Sequence, residues 1–106
     1  MFLQQGDVLL TKVAKDKISK TAKRVAPVRG RLILAEGEAT GHAHAVTTEE
    51  GIKLYTMDQI LFLTADHDCT VVHEEHGPVT IPKGTWQVGA VQEYDYVEQE
   101  ARNVRD

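Results

Sequence analysis

The sequence predicts an all-β domain, a small barrel or sandwich. Short runs rich in Val, Ile, Leu and Thr recur along the chain, separated by Gly, Pro, Asp and Glu turn residues. Long stretches with helical hydrophobic spacing are missing, as are internal repeats and low-complexity tracts. The length of 106 residues favours one domain, 1–106, and 42% apolar content allows a compact core.

The elements follow in order. Gly6-Asp7 precedes Val8–Val13, a β-prone run and the first expected strand. Residues 14–30 read as a basic loop with room for one helical turn, because Ile18, Ala22 and Val25 have helical spacing and Pro27 would stop a helix. Arg31–Glu36 is a clear strand. Gly37 and Gly41 bracket a turn or bulge. His42–Thr47 alternates, with His42, His44 and Val46 on one face and Ala43, Ala45 and Thr47 on the other. Ile52–Met57, Ile60–Leu63 and Cys69–His73 are further strands, joined by tight polar connections. Val79–Ile81 and Thr85–Gln92 complete the set, and Gly89 suggests a bulge or a close backbone approach. Asp95 can cap a short C-terminal helix at about 96–104.

Charge is unevenly placed. Residues 1–31 hold eight Lys or Arg against two acids, whereas the remainder holds four basic residues against fourteen acids. The basic third can touch phosphate or an acidic partner, but no aromatic residue interleaves with its charges to stack a base. With a net charge of −4, a dedicated nucleic-acid coat is not expected. Cys69 is the only cysteine, so no intrachain disulfide forms and a reducing compartment is expected. The first residues lack a signal-peptide pattern, and no apolar run is long enough to span a bilayer. A cytoplasmic protein without a membrane partner is the expectation.

The chemistry concentrates in Gly41-His42-Ala43-His44 and His73-Glu74-Glu75-His76, which hold four of the five histidines. Residues i and i+2 of a strand share a face, so His42 and His44 can project side by side. His73 and His76 can join them if His73 ends its strand and His76 lies in the turn beyond. Neutral imidazoles on rigid strands bind zinc, iron, nickel or copper, with zinc the default. Glu49, Glu74 and Glu75 are candidate ligands, supporting partners or general bases. The bland alternative is that each histidine is a surface or hydrogen-bonded residue. His67, between Asp66 and Asp68, reads as a turn residue, and Cys69 as a buried thiol. No glycine-rich phosphate loop, cysteine pair or serine nucleophile motif is present.

Two resemblances attach to these residues. His42-Ala43-His44 with Glu49, then Gly77, Pro82-Lys83-Gly84 and Gln87, resembles the two motifs of the cupin superfamily, small β-barrels that often hold a metal on histidines. That resemblance makes a cupin-like barrel the first choice of fold and implies His42, His44 and Glu49 as ligands. Gln87, where the last metal histidine would stand, is then a weak or absent fourth. The chain also resembles a family of small uncharacterised phage, prophage and bacterial proteins. The parts that carry this are Gln5-Gly6-Asp7-Val8-Leu9, Gly37–His44, His73–Pro78, Ile81–Gly84 and Gln92-Glu93-Tyr94. It implies joint importance of both histidine segments and no particular reaction.

The sequence therefore predicts a metal-binding β protein with His42, His44, His73 and His76 as ligands. A second expectation is a non-enzymatic phage or host-interaction protein whose histidines are structural. A third is a metal-dependent enzyme with Glu74 or Glu75 as base. Subunit number is left open, and a homo-oligomer is compatible with each.

Overall fold

The computed structural model describes residues 1–36 and 41–90. Ten strands are present among them: β1 (Phe2–Gln5), β2 (Val8–Val13), β3 (Lys23–Arg24), β4 (Arg31–Glu36), β5 (Ala43–Thr47), β6 (Ile52–Met57), β7 (Ile60–Ala65), β8 (Cys69–Val72), β9 (Val79–Ile81) and β10 (Gly84–Ala90). All eight expected strands are found. The two unexpected ones are β1 and the two-residue β3. Lys15–Lys17 forms a single 3-10 turn in the basic loop. The turn expected at 37–40 and the helix expected at about 96–104 lie outside the described residues.

The strands form two antiparallel sheets, one ordered β1-β2-β10-β7-β6-β3 and the other β4-β5-β8-β9. Leu10, Ile52, Leu54, Leu63 and Trp86 from the first sheet meet Leu32, Leu34, Val46, Val71 and Ile81 from the second in one core. This is a sandwich, with each sheet burying one alternating face. Trp86 is fully buried, and its Nε1–H donates to Pro82 O at 2.9 Å, so the one polar atom of its ring is satisfied. No helix of the described residues is long and apolar enough to cross a membrane.

Two tight turns position residues near the histidine segments. Gly6-Asp7 joins β1 to β2 with Gln5 opposite Val8, and Gly6 has φ 58°. A left-handed residue at the first central position is what a type II′ hairpin requires, and glycine takes it without a Cβ penalty. Arg29 and Gly30 have φ 53° and 78°, and Val28 and Arg31 exchange both backbone hydrogen bonds across them. Positive φ at both central positions marks a type I′ turn, which disfavours arginine at the first.

Gly89 is a correction. It pairs with Leu9 in an unbroken β10–β2 register, and nothing lies within 4 Å of where its Cβ would be. It is neither a bulge nor a close approach. The irregularity of the sheets falls instead in β4, where the register with β5 shifts between Ile33 and Ala35.

Candidate functional site: four histidines at the edge of the sandwich

The two histidine segments meet. His44 lies on β5, two residues before the core residue Val46, and its side chain is 2% exposed. His42 lies immediately before β5. β8 ends at Val72, so His73 begins the following loop and His76 lies further along it. β5 and β8 are neighbours, paired through Ala45–Val72 and Val46–Val71. That pairing carries the loop after β8 across the start of β5. The ring centroid of His73 lies 4.3 Å from that of His44, 4.7 Å from His76 and 5.6 Å from His42. His44 and His76 are 5.8 Å apart.

The hairpin between β1 and β2 completes the cluster. The Gln5 side chain is buried, and its amide nitrogen donates to Val71 O at 3.1 Å and Gly77 O at 2.9 Å. Two carbonyl acceptors fix which end of the amide is nitrogen. Its oxygen therefore faces His44 Nδ1 at 2.8 Å and must accept from it. His44 is held as the Nδ1–H tautomer, with its Nε2 lone pair free, an arrangement common to metal-binding histidines. Asp7 Oδ1 lies 3.7 Å from that Nε2. Gly6 fits flat beneath His76: a Cβ on residue 6 would lie 2.6 Å from His76 Nε2.

Carboxylates rim the site. Glu74 Oε1 accepts the Ala43 N–H at 2.9 Å, while its other oxygen lies 3.9 Å from Arg31. The Ala43 N–H holds the Glu74 carboxyl below its ordinary range. Glu75 Oε2 stands 3.7 Å from His42 Nδ1. Burial pushes the His44 pKa down, reinforced by the neighbouring His73 and His76 and opposed by Asp7 and Glu74. The ring therefore keeps its lone pair at neutral pH. His73 is set differently, because its Nδ1 accepts the Glu75 N–H at 3.0 Å. In the neutral ring the proton is then on Nε2.

One ligand atom each from His42, His73 and Glu74 lies within 4.8 Å of the other two. Ligands about 2 Å from a tetrahedral ion stand about 3.3 Å apart, so these atoms need to close by roughly 1.5 Å or less to share one. Two imidazoles on such an ion have centroids about 5 Å apart. The observed centroid spacings of 4.3–5.8 Å are of that order, while among the described residues His44 and His76 bring no ligand atom into the group formed by His42, His73 and Glu74.

Other expected residues go elsewhere. Glu49 is not with the cluster. Its carboxylate accepts from His67 Nε2 at 2.8 Å, while Asp66 accepts from Nδ1 at 2.7 Å. His67 is thus more than a turn residue, since it ties the loop after β5 to the loop after β7. Gln87 sits within the six-stranded sheet, opposite Thr11 and Phe62. Cys69 is buried as expected, and burial pushes its thiol up to about 11. Gln5, Gly6 and Asp7 were not expected at the site.

Because both nitrogens of His67 face acceptors, the imidazolium satisfies both. Its pKa is raised, first by the hydrogen bond to Glu49 and then by that to Asp66. The stability it contributes is fully present below the unfolded value of about 6.5 and is lost as pH rises through the higher folded value. His67→Gln should therefore lower the melting temperature more at about pH 5.5 than at about pH 8.5, and only slightly because the group is exposed. Thermal melts of both proteins at the two pH values check this. An equal deficit at both would remove the ion-pair explanation.

Fold and site together define a small antiparallel β-sandwich domain with a histidine–carboxylate cluster at one edge. The protein belongs to the family described as "Domain of unknown function (DUF8820)", which matches residues 4–90. That span includes the Gln5 hairpin, both histidine segments and every strand from β2 to β10. No curated protein and no solved structure matches the chain.

Proposed function

We propose that this domain binds one divalent transition-metal ion at the four-histidine cluster. His42, His44, His73 and His76 supply the ligands, zinc is the default ion, and iron, nickel or copper suit the same donors. The observation that supports it is His73 at the centre of three other imidazoles, with centroid distances of 4.3–5.6 Å. Protonated imidazoles packed this closely would repel, and among the described residues His42 and His73 bring ligand atoms within 4.8 Å of each other and of a Glu74 oxygen. Gln5 supports the reading by leaving Nε2 of His44 available. Glu74 and Glu75 serve as partners that orient the rim rather than as ligands in this reading.

One feature favours the competing reading, a non-enzymatic interaction protein of phage or host association with structural histidines. His73 Nδ1 already accepts the Glu75 amide. Ligation through Nε2 moves the ring proton to Nδ1, so that hydrogen bond must break and the 73–76 loop must shift. The two readings differ in stoichiometry. Protein purified without a histidine tag should carry, or take up from a zinc titration, one ion per chain. Its melting temperature should rise with zinc concentration as mass action requires. Protein that neither retains metal nor is stabilised by it would leave the structural reading standing.

A further inference from the structure

We propose that the cavity beside His42 binds a small organic carboxylate. The acid group lies against Arg29 and Arg31, and the apolar body lies against Val28 and Ile33. The cavity is about 320 Å³, within the small-molecule range, and Glu36, Gly41, His42 and Ala43 line the rest of its wall. The proposal extends the metal reading and rests on it only for orientation, since a ligand filling this space presents its far end to His42.

Three observations carry it. The first is chemical. Two arginines lining the cavity beside Val28 and Ile33 match a carboxylate on a short apolar body, because arginine binds carboxylates through paired donors. Glu36 on the same wall disfavours a multiply charged anion. The second is the backbone at Arg29. Its φ of 53° places arginine where glycine or asparagine is preferred, in a turn whose own hydrogen bonds do not use the side chain. Among the described residues it makes no ion pair. Strain retained without a structural return is a mark of a functional position. The third is the link to the cluster. Arg31 lies 3.9 Å from Glu74, at the outer limit of an ion pair, so its guanidinium retains donors for a ligand. The same Glu74 accepts from Ala43, adjacent to His42.

The test uses the full chain, untagged, zinc-loaded and chelator-stripped. Pentanoate, pentanamide and inorganic phosphate are titrated by NMR, and zinc content is measured on each sample. Pentanoate should produce saturable shifts confined to residues 28–33 and 41–43, and should bind at least about tenfold more tightly than pentanamide. Arg29→Gly is the fold-safe variant, because glycine relieves the left-handed strain. It should melt no lower than the wild type, keep the same zinc content and bind pentanoate about tenfold more weakly. The proposal is overturned if pentanoate binds no better than its amide in either form, if phosphate binds more tightly, or if Arg29→Gly leaves pentanoate affinity unchanged. Zinc bound without acid preference sinks this inference alone. Acid binding without zinc sinks the metal reading alone.

Discussion

A chain with His42 and His44 both replaced by alanine should take up no zinc at concentrations that saturate the wild type. Removing them leaves His73 and His76, neighbours in one loop with centroids 4.7 Å apart. Two imidazoles from a single loop make a weak chelate. Loss of a supporting partner alone costs about 10–100-fold in affinity, so loss of two ligands should exceed about 100-fold. His42 supplies the structurally mild arm of the experiment. Its side chain is 24% exposed, and its contact with Glu75 at 3.7 Å is loose, so His42→Ala should fold normally and still bind zinc more weakly. His44→Ala is harsher, because it removes a buried ring and strands the Gln5 oxygen that accepts from it. His67→Ala is the control and should keep full zinc uptake, since both its nitrogens are engaged by Glu49 and Asp66. Elemental analysis and competitive zinc titration of the four proteins check the series. Unchanged metal content in the double variant would falsify the ligand assignment.

The strands were legible because alternation is a local signal. Ile52–Met57 and Cys69–Val72 each show the period of a half-buried strand, and each forms one. β1 carries no local strand signal, because Phe2-Leu3-Gln4-Gln5 is polar at the end where the glutamine is buried. The burial of Gln5 depends on carbonyls of Val71 and Gly77, far away in sequence, and no period within the strand announces that. β3 is only Lys23–Arg24, exposed at a sheet edge, so it carries no hydrophobic pattern at all. The histidine pairs were legible as pairs through their spacing on a strand and its turn. Their meeting depends on β5 and β8 being neighbours, which no local pattern states. Glu49 went astray for the same reason: closeness to His44 in sequence set the expectation, whereas the β5–β6 turn delivers the carboxylate to His67. The signal that could have found Gln5, Gly6 and Asp7 was the Gly-Asp turn itself, where a left-handed glycine invites a close neighbour.

Replacing Gln5 by leucine tests whether this hidden residue holds the site together. The amide makes three hydrogen bonds, two given to backbone carbonyls and one accepted from His44. Leucine has similar bulk, so the loss is polar rather than steric. It leaves the buried His44 Nδ1–H without an acceptor and deprives the carbonyls of Val71 and Gly77 of a donor. Each buried group left unsatisfied costs about 1–3 kcal/mol, and partial relaxation brings the expected total to about 2–4 kcal/mol. Against a domain stability of about 5–15 kcal/mol, that is a large fraction. Zinc affinity should fall about 10–100-fold in the same variant, because the His44 tautomer is no longer fixed. Gln5→Glu separates the two effects. Its carboxylate still accepts from His44, so zinc binding should be largely retained, but it faces two carbonyls without a proton to give and should destabilise the fold comparably. Urea unfolding gives the first quantity and competitive zinc titration the second. A leucine variant as stable as the wild type would show that the hairpin merely abuts the histidines. A leucine variant that loses stability but binds zinc undiminished would show that His44 needs no partner to present its nitrogen.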